Sequence, residues 1–202
     1  MSNVISDVKI YGIEDSVKAS KYPMSADVTA CTGEITVRTN SLATCEKGTG
    51  HDQFLTGIIA QFDLTFTIKA WTEAERYHFF DFVSSQSTMH RIVQIDVRSQ
   101  CVSYVTENTI AEVEHLKEVY NANPSIENYL TLLYNVPVGL KLTARMTTNY
   151  RQLKTIYSQR KTHRLPEWKR FCEQLESFPH AEWITGSVKK DDSQMQNMWQ
   201  RD

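Results

Sequence analysis

An arginine closes an apolar stripe in the last third of the chain. Leu153, Ile156, Tyr157 and Arg160 fall at i, i+3, i+4 and i+7, the spacing of one helix face. A guanidinium in apolar surroundings needs a carboxylate, a phosphate or the polar edge of a ligand. Glu167 or Glu173 could supply the partner as a salt bridge. The other reading is that Arg160 faces a ligand cavity in a catalytic or substrate-binding role. Asn149 stands where that helix should start, as its N-cap, and Arg151 follows two residues on. A second candidate is the run Ser84-Ser85-Gln86-Ser87-Thr88-Met89-His90-Arg91. Its hydroxyls, amide, backbone N–H groups and closing arginine are the donors from which phosphate sites are built. The same run also reads as an ordinary polar loop. His51 follows a glycine, and no metal-ligand spacing links it to His78, His90 or His163. No P-loop, GxGxxG, GxSxG or Cys–His pattern is present.

The elements that must position these residues follow from periodicity. In residues 61–68, Phe62, Leu64, Phe66 and Ile68 alternate with Gln61, Asp63, Thr65 and Thr67, which predicts a half-buried strand. Thr72 with Glu75 has capping-box form. With the aromatic run to Val83 it predicts a mostly buried helix of about three turns. Leu140, Leu142, Ala144 and Met146 alternate with polar residues and predict a second strand. Short strands are expected over 8–13 and 92–97. Helices are expected over 112–122, 126–134, 149–160 and 166–178, the last opened by Pro166. Strands and helices mix without regular βαβ alternation, which favours an α+β fold. Residues 1–186 read as one α+β domain and 187–202 as a polar C-terminal tail.

Composition bounds the function classes. The chain has 202 residues, 41% hydrophobic and 23% charged, enough for one good core. No stretch is apolar enough to span a membrane. Net charge is −2, which argues against binding a long nucleic acid. Residues 141–170, however, hold nine basic residues and one acid, Glu167. That local excess suits a small phosphate-bearing ligand, or else a solvated basic helix face. Cys31, Cys45, Cys101 and Cys172 are widely spaced, so neither a zinc ribbon nor a redox dithiol is expected. The opening MSNVISDVKIYG lacks a basic n-region and an apolar h-region. The expectation is a cytoplasmic protein with reduced thiols.

Three blocks together resemble the flavin-dependent thymidylate synthases. They are Thr147-Thr148-Asn149-Tyr150-Arg151-Gln152-Leu153, then Gln159-Arg160-Lys161-Thr162-His163, then Pro166-Glu167-Trp168. Asn135-Val136-Pro137 resembles the family's L-P turn. Gly50-His51-Asp52, a strand, a helix and a Ser-rich loop ending in Arg91 follow in the family's order. The likeness covers about residues 50–178. The family's R-H-R triplet is replaced by Phe79-Phe80-Asp81, its Asn-Glu by Gln86-Ser87, and Leu133 stands for an arginine before the L-P turn. The resemblance implies an antiparallel sheet flanked by helices, in a homotetramer whose sites gather residues from several subunits. It implies FAD as cofactor, methylenetetrahydrofolate as carbon donor and NADPH as reductant, in the reductive methylation of dUMP. By resemblance, His51, Asn149 and Arg151 contact FAD. Ser84, Gln86, Ser87 and Arg91 lie in the nucleotide-phosphate loop, and Arg160 reaches the pyrimidine. The alternatives are a protein that binds or sequesters a pyrimidine deoxynucleotide on the same scaffold without folate chemistry, or a divergent enzyme modifying such a nucleotide.

Overall fold

Strand β2 (Ile59–Thr67) is the axis of the molecule. The computed structural model describes residues 3–46 and 48–186; the tail expected over 187–202 lies outside them. Along β2, Ala60, Phe62, Leu64 and Phe66 are fully buried, while Gln61, Asp63 and Thr65 between them are half-buried. This alternation puts one sheet face in the core and leaves the other polar.

Strand β4 (Lys141–Asn149) runs antiparallel to β2, with Ile59 opposite Asn149 and Thr67 opposite Lys141. Strands β1 (Ile5–Tyr11) and β3 (Phe80–Ser85) complete a four-stranded sheet of order β1-β2-β4-β3, antiparallel throughout. A register shift in β1 between Ser6 and Lys9 carries Asp7 at φ 45°. There Arg145 on the polar face bonds Asp7 at 2.9 Å and Asp63 at 3.2 Å.

Helices α8 (Tyr150–Arg160) and α9 (Pro166–Leu175) follow β4. On α9, Trp168, Phe171, Cys172 and Leu175 are buried, an i, i+3, i+4, i+7 face. Their rings meet the sheet: Phe66 lies 4.8 Å from Trp168 and Phe62 6.0 Å from Phe171. Helices α1 (Ile13–Ala19) and α2 (Val37–Thr44) precede β2, and the short α10 (Glu182–Thr185) packs against α8. A second apolar cluster joins Ile92, Ile95, Val97, Val113, Leu132 and Leu140. It lies under α5 (Val97–Gln100), α6 (Glu107–Ala122) and α7 (Ile126–Tyr134). No described helix is long and apolar enough to cross a membrane.

Two expected elements differ. The helix expected from Thr72 to Val83 starts at Ile68 and ends at Ala74; this is α3 (Ile68–Ala74). Its cap is Thr67, whose Oγ1 accepts from the Ala70 N–H at 3.1 Å. Thr72 lies inside it and donates to the Lys69 carbonyl. Residues 80–85 form β3 instead. The aromatic and β-branched run prefers an extended backbone, and β4 offers an edge for it to pair with. Of the aromatics in this stretch, Trp71 and Phe80 are core residues, while Phe79 and Phe82 stay exposed. Residues 92–97 are not a strand: Ile95 N–H returns to the Arg91 carbonyl at 3.0 Å, a turn after the short α4 (Thr88–Arg91).

Thr67 does two jobs, because its hydroxyl also donates to Glu167 Oε1 at 2.6 Å. Thr67→Ala should therefore lower unfolding free energy by about 1–2 kcal/mol, the size of a lost cap with a lost hydrogen bond. Urea denaturation of the variant checks this; an unchanged midpoint would show that neither bond stabilises the fold.

Candidate functional site

Helix α8 is the common support of the candidate residues. Asn149 ends β4 and its Oδ1 accepts from the Gln152 N–H at 2.9 Å, so it caps α8. Arg151 and Lys154 lie three apart on α8 and meet the same carboxylate. Asp52, buried, accepts from Arg151 Nε at 3.0 Å and from Lys154 Nζ at 2.8 Å. Lys154, 8% exposed, spends its other protons on the carbonyls of Ala43 and Cys45, both at 2.9 Å. Three acceptors for three N–H bonds leave this ammonium fully satisfied. Burial alone would push the Asp52 carboxyl up, but the hydrogen bonds and charges of Lys154 and Arg151 outweigh it and hold it below its ordinary 3.8.

Two cations on one carboxylate leave one positive charge, and Arg151 presents it. Asp52 takes only Nε, and among the described residues neither terminal nitrogen of Arg151 has a partner. His51, next to Asp52, is exposed. The Nδ2 of Asn149 has no partner among the described residues. An imidazole, an amide and a half-exposed guanidinium around a net positive centre fit a phosphate or the carbonyl edge of a planar ring. On that donor set, His51, Asn149 and Arg151 fit a flavin nucleotide.

The other end of α8 holds Arg160, 8% exposed. Its expected partners were Glu167 or Glu173; the structure supplies Glu73 of α3 instead, at 3.0 Å from Nη1. Its Nε donates to the Tyr77 hydroxyl at 2.7 Å, and its guanidinium lies 4.8 Å over the Trp168 ring. The burial of Arg160 therefore needs no ligand to explain it. Its second terminal nitrogen has no partner among the described residues. His163 Nδ1 accepts from the Leu165 N–H, so Nε2 carries the proton it turns to Glu73 at 3.2 Å. Burial pushes Glu73 up, but Lys69, His163 and Arg160 together hold it below its ordinary 4.5.

The loop after β3 lies toward the opposite end of β4 from Asn149, with Gln86 paired to Thr143. Gln86 extends the ladder: its N–H donates to the Thr143 carbonyl at 2.9 Å and its Oε1 accepts from the Thr143 N–H at 2.8 Å. Its side chain thus imitates backbone. Ser84 is exposed, and Ser87 precedes α4 without a side-chain capping bond. Arg91 is exposed, with no side-chain partner among the described residues. Arg151 bonds Asp52, with His51 next to Asp52 in the chain and Asn149 two residues before Arg151, while Arg160 lies about 14 Å from Arg151 along α8. Sequence reasoning missed Asp52, Lys154, Glu73, Tyr77 and Trp168. The signal for Lys154 was its place beside Leu153 on the inner half of the helix, where a lysine needs acceptors.

No protein-family model matches the chain, and no curated protein is similar to it in sequence. Among solved structures it is similar to thymidylate synthase X (ThyX) from Helicobacter pylori with FAD and dUMP. The TM-score is 0.69 at 14% identity, over 89% of this chain and 96% of that one. A second structure, the flavin-dependent thymidylate synthase ThyX from the same organism complexed with FAD and dUMP, gives 0.69 at 14% over 93% and 98%. At that identity the likeness establishes the fold, an α+β architecture of ThyX type.

Two ion-paired carboxylates, buried Asp52 and half-buried Glu73, set the acid limit of the fold. Each is held below its ordinary value, so its contribution is complete above 4.5 for Glu73 and 3.8 for Asp52 and is lost as pH falls through the lower folded-state values. Melting temperature should fall steeply below about pH 4.5. Glu73→Gln should cost about 3 kcal/mol at neutral pH, because it strands Arg160, and should flatten the acid slope. Melting curves across pH check both; an unchanged slope would remove Glu73 from the account.

Proposed function

We propose that the chain is a flavin-dependent enzyme of thymidylate synthase type, acting on a pyrimidine deoxynucleotide. The reaction is the reductive methylation of dUMP, with methylenetetrahydrofolate as carbon donor and NADPH as reductant. One observation carries the reading: on a ThyX-type fold, Arg151 and Lys154 meet the buried Asp52 with one cation in excess, where β4 ends at Asn149 and His51 adjoins Asp52 in the chain. There they would hold FAD, Arg151 pairing with an anionic group and Asn149 and His51 with polar ring edges. FAD, when bound, supplies the hydride transfer that no side chain offers. Lys154 keeps Asp52 ionised and the loop before it closed, so the donors are set before any ligand arrives. Arg160 keeps one terminal nitrogen for a pyrimidine carbonyl, its plane held by Trp168 and Tyr77. Ser84, Ser87 and Arg91, with the Gln86 Nε2, would meet the nucleotide phosphate. Since Gln86 lies about 20 Å along β4 from Asn149 in one chain, the reading requires a composite site in a homotetramer.

A second reading is favoured by one observation. The Phe79-Phe80-Asp81 segment brings no cation to the edge strand, and Asp81 is exposed there. A protein that binds the nucleotide without methyl transfer would need none.

The test begins with the purified protein loaded with FAD. An oxidised-flavin spectrum with saturable dUMP binding supports the enzyme. A colourless protein that binds dUMP supports the second reading, and failure to bind either ligand rejects both. Arg151→Ala should lower flavin occupancy about tenfold with little change in melting temperature, because Lys154 still holds Asp52. Full occupancy in that variant would remove Arg151 from the flavin site.

A further inference from the structure

A cavity lies away from the residues assigned to flavin and nucleotide. It has a volume of about 610 Å³ and opens beside the Thr67–Lys141 end of the sheet, on its polar face. Its walls come from β1's approach, the ends of β2 and β4, the loop after α5, and the start of α9. They are held by backbone bonds: Val102 N–H donates to the Gly139 carbonyl at 3.0 Å, and Lys69 N–H to the Val138 carbonyl at 2.9 Å. Gly139 is packed so closely that a Cβ would meet Val105 Cγ2 at 2.4 Å. The cavity is therefore part of the fold and not a gap between loose loops.

Its chemistry is mixed in a specific way. Val102, Tyr104, Val138 and Leu165 make most of the wall apolar. Tyr104 and Val138 are 80% and 60% exposed, an unusual state for apolar surface on a concave wall. Lys69, Lys141, Arg164 and Arg170 bring four cations, against one carboxylate, Glu167. Glu167 is engaged by the Thr67 hydroxyl at 2.6 Å. Lys69 turns to Glu73 at 3.4 Å and Arg170 to Glu173 at 2.8 Å. Lys141 and Arg164 have no carboxylate partner among the described residues. Cations without counter-charge on the rim of an apolar pocket of this size describe a site for an anion with an apolar body.

We propose that this cavity binds an organic phosphate carrying an aromatic or apolar body, the phosphate between Lys141 and Arg164 and the body against Tyr104, Val138 and Leu165. The site shares no residue with the flavin and nucleotide assignments and does not rest on them. Cys101, half-buried in the same wall, reports on occupancy.

The test uses 1-naphthyl phosphate, 1-naphthol and inorganic phosphate, each titrated calorimetrically into the full chain. Naphthyl phosphate should bind one to one, and the two fragments should each bind at least about tenfold more weakly. Lys141→Gln and Arg164→Gln should each weaken naphthyl phosphate about tenfold, while Val83→Ser on the exposed edge strand leaves it unchanged. Bound naphthyl phosphate should slow iodoacetamide labelling of Cys101 but not of Cys31 or Cys45. If either charge variant melts early, Tyr104→Ala replaces it, since its ring is largely exposed and its loss should weaken binding with the fold intact. Absence of binding, equal affinity in the cavity variants, or unprotected Cys101 would each overturn the proposal.

Discussion

Helix α8 carries three cations, Arg151, Lys154 and Arg160, and no carboxylate of its own. Lys154 and Arg160 are buried. Taking a cation out of water costs several kcal/mol unless a counter-charge and hydrogen bonds follow it. Asp52 and Glu73 are those counter-charges, and each comes from a different part of the chain. The place of α8 therefore dictates the place of the loop before β2 and of α3 after it. Lys154 extends the constraint to the carbonyls of Ala43 and Cys45. Glu73 extends it to His163 and so to the turn that starts α9.

The two ends of α8 differ in what they leave over. At the Asp52 end, two cations meet one carboxylate, and the surplus charge lies on a half-exposed guanidinium with unengaged donors. At the Glu73 end, the guanidinium is stacked, bonded at two nitrogens and buried. The first end attracts an anion by field as well as contact. The second offers one fixed donor with little left to reorganise, which is what a rigid ring edge requires. The second property leans on the strands' apolar face through Trp168, which packs on Phe66 of β2, so the core and that end of α8 are coupled.

Legibility in the sequence followed the range of the interaction that decides each feature. The alternation in β2 and β4, the Asn149 cap and the stripe on α9 are local, and the residues at period 2 or 3.6 state them directly. The α3–β3 boundary was misread because Thr72-x-x-Glu75 satisfies a local capping pattern while Thr67, five residues earlier, is fixed by a long-range bond to Glu167. The strand character of residues 80–85 depends on the open edge of β4, which no local window contains. Arg160 was legible as a buried charge; its partner was not, because Glu73 lies 87 positions away in sequence. Asp52 and Lys154 are likewise 102 positions apart. At the candidate site every decisive pairing is of this kind, so the residue types could be read and the pairings could not.

On the proposed reading the edge strand would link assembly to chemistry. On β3 and the loop beyond it, Phe79, Phe82, Val83 and Met89 are 67%, 47%, 58% and 60% exposed. The outer side of β3 carries no strand partner in the sheet. An apolar edge of this kind is costly in water and prone to pairing. It also flanks Ser84, Gln86 and Ser87, hydroxyl and amide donors; Ser84 lies about 13 Å and Gln86 about 20 Å along β4 from Asn149. Within one chain that distance cannot close, because β4 is rigidly paired on both sides. Covering the edge with another copy would bury the costly surface and bring donors of one chain against another by the same step. On the proposed reading, the apolar surface exposed along this edge would thus be the surface that carries the donors of a composite site.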